Sequence, residues 1–131
     1  MKHPALNNHS CVVQTAAGEI LTSDERGIRP PLRWLREDPA VLKNAAVADK
    51  VIGKAAALLF AYGGVKSIWA ECMSDAAINF LSSTGIAFEY ATRVEAILMR
   101  NGSDICPMER RAAELCDPTA AFQLFSEVIP C

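Results

Sequence analysis

The stretch whose reading decides the fold is Val47-Ala48-Asp49-Lys50-Val51-Ile52-Gly53-Lys54-Ala55-Ala56-Ala57-Leu58-Leu59-Phe60-Ala61-Tyr62-Gly63-Gly64. Val47, Val51, Ala55, Leu58, Leu59 and Tyr62 recur at helical spacing, which predicts a helix over residues 47–62. The first half carries Asp49, Lys50 and Lys54; from Ala55 onward the segment is apolar on every side. A helix without a polar face is buried against other elements, here a sheet. Gly63-Gly64 supplies its stop.

Working toward the N-terminus, Pro30-Pro31 opens a second helix with Leu32, Leu35 and Trp34 as its buried side, interrupted at Asp38-Pro39. Before it, residues 10–15 and 19–23 are short β-rich runs around Ala16-Ala17-Gly18, the pattern of a hairpin. Residues 1–9 read as a loose lead-in. Toward the C-terminus, residues 66–70 read as a buried strand and residues 74–84 as a helix capped by Ser74 and stopped by Gly85. Two more strands are expected at 86–90 and 94–99, with Asn101-Gly102 as a turn. Helices opened by Pro107 and by Asp117-Pro118 complete the chain. The order β-β-α-α-β-α-β-β-α-α predicts a single α/β domain over residues 10–131. Its expected architecture is three-layer: a mixed sheet of about five strands with helices on both faces.

Composition narrows the function classes. A chain of 131 residues, 51% apolar, with a formal net charge of −2, can bury a real core as one domain. No Lys/Arg run offers a footprint for polymeric nucleic acid. The longest apolar run, residues 55–62, is too short to span a bilayer, and Met1-Lys2-His3-Pro4 leads into polar residues rather than an apolar secretory segment. Five cysteines, an odd number with no Cys-x-x-Cys spacing, point to a reducing, cytoplasmic setting. Both histidines, His3 and His9, fall in the first ten residues, which removes the usual general base from the rest of the chain.

Particular strings carry a resemblance. They are Glu25-Arg26-Gly27-Ile28-Arg29-Pro30, then residues 47–57, Tyr62-Gly63-Gly64-Val65-Lys66, Arg100-Asn101-Gly102 and Cys106-Pro107-Met108-Glu109. In this order they resemble a family of small bacterial proteins of unknown function with the cytidine-deaminase fold. That resemblance implies a fold and a pocket, but no activity. A zinc deaminase needs a His or Cys, one residue, then Glu at one helix start, and Pro-Cys-x-x-Cys at the next. Asp49-Lys50-Val51 and Lys54-Ala55-Ala56 offer neither the histidine nor the glutamate, and Glu71-Cys72-Met73-Ser74-Asp75 supplies one thiol and one carboxylate. Two ligands do not make a zinc site, so neither metal nor cofactor is expected.

The candidate residues divide by chemistry. Lys50 and Lys54, four apart on the expected helix, would share a face and bind a phosphate or carboxylate, with Asp49 beside them. Arg26, Arg100 and Asn101, in expected loops, would add anion-binding groups, and Arg29 and Arg110 extend that set. Cys106 at a helix N-cap is the candidate nucleophile, since helix-start amides lower a thiol pKa. Glu109 or Lys54 would assist proton transfer, and Glu71 at a strand end is a further acid or base. The leading expectation is a metal-free binding domain for a small anionic or nucleotide-like ligand. A Cys106-dependent hydrolase or deaminase-like enzyme and a non-catalytic, self-associating homo-oligomer are the alternatives.

Overall fold

The computed structural model describes residues 3–97 and 106–129. Strands β1 (Cys11–Gln14) and β2 (Ile20–Ser23) form the expected hairpin, and α1 (Arg29–Glu37) starts at Pro30-Pro31. Then follow β3 (Ala46–Ile52), α2 (Lys54–Gly63), β4 (Ser67–Ser74), α3 (Asp75–Ser82), β5 (Ala87–Val94), α4 (Pro107–Ala112) and α5 (Pro118–Val128). The sheet is mixed and five-stranded, in the order β2-β1-β3-β4-β5. β1 runs antiparallel to both neighbours, whereas β3, β4 and β5 are parallel. The α/β class is the one expected.

Half of the deciding stretch is not helical. Residues 46–52 form the central strand β3, paired with β1 on one side and β4 on the other. The physical reason is pairing at a distance: a strand in mid-sheet satisfies its amides and carbonyls through remote partners that helical spacing does not register. Gly53, in extended conformation, separates this strand from α2. From Ala55 to Phe60 every residue is buried, as its composition requires, and Gly64 at φ +79° turns the chain out of the helix. β4 runs on to Ser74, which puts Glu71 and Cys72 inside a strand. In place of strands at 86–90 and 94–99 there is one strand, Ala87–Val94; residues 95–97 lie beyond it, and 98–99 are outside the described residues.

One apolar row crosses all five strands in register: Leu21, Val13, Val47, Ile68 and Phe88. These side chains belong to or pack on the same core as Leu58, Leu59 and Phe60 of α2. α2 is the hub of the helices, touching α1, α3, α4 and α5. α2 packs on the side of the sheet that carries this row, with the other helices around it. On the other side Trp69 carries the ring of His3, stacked at 4.4 Å between centroids and 7° from parallel. The lead-in thus reaches that opposite face.

Two candidate regions: the carboxyl edge and an arginine groove

The parallel strands end together, and α1, α2 and α3 start beyond their carboxyl ends, the edge at which open α/β sheets bind ligands. Asp49 sits near this edge on β3, directly opposite Cys11 of β1. It is 5% exposed, and its Oδ1 accepts the Val51 amide at 3.2 Å. Its Oδ2 is buried with no hydrogen-bonding partner among the described residues. Burial pushes the carboxyl up to about 7, against the relief given by the Val51 amide. The Cys11 thiol, fully buried, is likewise pushed well above the ordinary range, by burial and then by Asp49 beside it. Cys11 therefore keeps its proton near neutrality, which makes it a poor nucleophile, whereas Asp49 titrates there.

At the start of α2 the structure joins three expected residues in an unexpected way. Glu109, from α4, places Oε1 on the Lys54 amide at 2.7 Å and Oε2 on the Ala55 amide at 3.0 Å. A carboxylate from another helix thereby caps α2, whose own N-cap, Gly53, has no side chain to do so. The missing side chain is the condition for this contact, because a Cβ on Gly53 would overlap the Glu109 carboxylate. Lys54 returns the bond: its Nζ donates to the Ala113 carbonyl at the end of α4, at 3.1 Å. Burial raises the Glu109 pKa, while the Ala55 and Lys54 amides and the Lys54 charge hold it down.

The other expected residues part company. Cys106 is the N-cap of α4, half-buried, with its amide bonded to the Ile97 carbonyl at 2.9 Å and no capping bond from its side chain. The carboxylate expected to serve it, Glu109, is engaged by α2. Lys50 and Glu71 are exposed on neighbouring strands, between the register pairs Asp49–Ala70 and Val51–Cys72. Because Lys50 is on β3 and Lys54 on α2, the helical face they were to share does not exist. Arg26 is exposed in the β2–α1 connection, its carbonyl accepting the Arg29 amide. Arg100 and Asn101 lie outside the described residues.

A second region lies against α1. A groove of about 290 Å³ is lined by Arg29, Arg33 and Arg36, with Leu32 and Ile129 as its apolar lining and Glu25 and Glu37 as its acids. The arginines stand at i, i+4 and i+7, one face of the helix. The two outer-numbered members differ in commitment. Nη2 of Arg36 donates to the Ser126 carbonyl at 2.7 Å and to the Ile129 carbonyl, tying α1 to the last turn of α5. Arg29 has no ion-pair partner among the described residues. Arg33 pairs with Glu25. Arg33 and Arg36 are the residues that sequence reasoning missed. Their signal was present as the polar complement of Leu32, Trp34 and Leu35, the face opposite the apolar one.

Among the described residues no three His, Cys, Asp or Glu side chains converge to hold a metal ion, so the donor set of a zinc deaminase is not assembled by them. The four described cysteines, Cys11, Cys72, Cys106 and Cys116, are free. No described helix is long and apolar enough to cross a membrane.

These features define a small α/β domain with a mixed sheet, a carboxyl edge where Glu109 caps α2, and a groove lined by three arginines. Residues 3–129 match the family model of a domain of unknown function, DUF1893, and the chain belongs to that family. The fold is similar to the crystal structure of a DUF1893 family protein from Thermotoga maritima, with a TM-score of 0.84 at 24% identity, covering 93% of this chain and 82% of that one. No curated protein matches the sequence.

Proposed function

We propose that the protein is a metal-free binding domain for a small anionic ligand, and that the ligand enters the groove on α1. The observation that carries this reading is the alignment of Arg29, Arg33 and Arg36 along a cavity of about 290 Å³. Guanidinium forks match the oxygens of a phosphate or carboxylate, and Arg29 and Arg33, one helical turn apart, are spaced to share one such group. The volume is at the small end for ligand pockets, which suits a compact anion or the phosphate end of a nucleotide-like molecule. Titration calorimetry with inorganic phosphate at low ionic strength tests the reading. A saturable heat should fall at least about tenfold in affinity in Arg29→Ala, with an unchanged melting temperature; wild-type affinity in that variant overturns it.

The β5 edge favours a second reading. β5 is an outer strand of eight residues, largely exposed, with Tyr90 at 37%. Such an edge offers unpaired amides and carbonyls to a second copy. Light scattering across a concentration series distinguishes a monomer from a dimer formed there, and Thr92→Pro should dissolve that dimer.

A further inference from the structure

The groove already holds an anion of its own. Glu25, in the connection between β2 and α1, pairs with Arg33, while Arg29 one turn earlier lacks an ion-pair partner among the described residues. The backbone holds the acid in place: the Glu25 amide donates to Ser23 Oγ at 3.1 Å, and Glu25 is part-buried against the groove. We propose that Glu25 is a tethered competitor for the ligand, so that the groove selects a phosphoryl dianion over a monocarboxylate. This rests on the proposed binding function and names the ligand class for the same site.

The selection follows from charge and tethering. A carboxylate carried on the same chain meets Arg33 at an effective concentration on the order of millimolar or more. A free monocarboxylate brings the same group, the same charge and no tether, so it gains nothing by displacing Glu25. A phosphoryl dianion brings a second negative charge and three acceptor oxygens. It spans Arg29 and Arg33 together, which one carboxylate held by the β2–α1 connection does not do. Arg36 stays with the Ser126 and Ile129 carbonyls and fixes the wall against which the other two work. Glu37, the other acid of the groove, has no ion pair with these arginines among the described residues and sets only the general field.

The test compares inorganic phosphate with acetate on wild type, Glu25→Gln, Arg33→Ala and the Glu25→Gln/Arg33→Ala double variant, by calorimetry at fixed ionic strength. Glu25→Gln keeps the shape of the side chain and removes its charge. Phosphate should bind it about two- to fivefold more tightly than wild type, the factor an exposed ion pair sustains, and acetate should gain by a larger factor. In the Arg33→Ala background the same substitution should bring no gain, because the competitor acts through Arg33. If Glu25→Gln changes neither affinity while Arg29→Ala still weakens phosphate binding at least about tenfold, the competitor is disproved and the binding function stands. If neither wild type nor Glu25→Gln binds phosphate, the binding function itself falls.

Discussion

The start of α2 and the groove on α1 are both places where a helix meets opposite charge, and they are settled differently. At α2, Glu109 gives both oxygens to backbone amides and Lys54 answers on the Ala113 carbonyl, so the polar groups are spent within the chain. At α1, Arg33 is 60% exposed, its pairing with Glu25 faces water, and Arg29 is left without an ion-pair partner among the described residues. Buried polar groups must be satisfied, and they contribute to stability; solvated ones contribute little and remain available. The difference separates groups spent on folding from groups left to solvent better than residue type does. Sequence reasoning places the ligand at the charged first half of the 47–62 stretch, where Asp49 is buried, Lys54 bonds the Ala113 carbonyl and Lys50 is exposed.

Substitutions in the two regions should therefore differ in kind as well as in size. The largest effect belongs to the buried carboxyl of Asp49, raised from 3.8 to about 7. Its contribution to stability is present in full below about pH 4, the unfolded value. It is lost as pH rises from there through about 7, because the folded state holds a proton that the unfolded chain has released. The loss is on the order of 4 kcal/mol. Denaturant unfolding of Asp49→Asn should lack this slope and be more stable than wild type at pH 8, with little difference at pH 4; an unchanged slope would show that Asp49 ionises freely in the fold.

Next comes the cap. Gly53→Ala should cost about 2–3 kcal/mol, since the new Cβ displaces the Glu109 carboxylate and leaves two helix-start amides unpaired. Glu109→Gln, which retains one acceptor, should cost about 1–2 kcal/mol by the same measurement. Equal stability of both variants with wild type would remove the distinction between the regions. At the small end, Arg29→Ala should shift stability by less than about 0.5 kcal/mol and show its effect in phosphate binding alone. Were it to destabilise as Gly53→Ala does, the groove would belong with the scaffold.

Much of the fold was legible because its signals are local. Ser74 caps α3 by accepting the Ala77 amide at 3.2 Å, and Asp117 caps α5 by accepting the Thr119 amide at 3.0 Å, both within three residues. Residues 55–60 are buried on all sides, as an all-apolar segment must be. The candidate site was less legible. Glu109 was singled out, but as a partner for Cys106 three residues away, whereas its carboxylate works on amides 54 and 55 residues back. No spacing rule connects these positions. The arginine face of α1 was open to a helical reading that followed only the apolar side, and Glu25 joins it through a turn that precedes the helix.

By itself the sequence determined the hairpin, the proline-opened helices, the caps and the identity of the buried helix, each set by torsional preference, a neighbouring acceptor or an apolar run. Only the tertiary structure decided that residues 46–52 are a strand. Their hydrogen-bonding partners are residues 11–14 and 67–73, and the choice between helix and strand depends on whether those partners arrive. The same reason governs the two regions compared above. Whether a charge is scaffold or site depends on how much water the rest of the chain leaves around it, and that is fixed when distant segments pack.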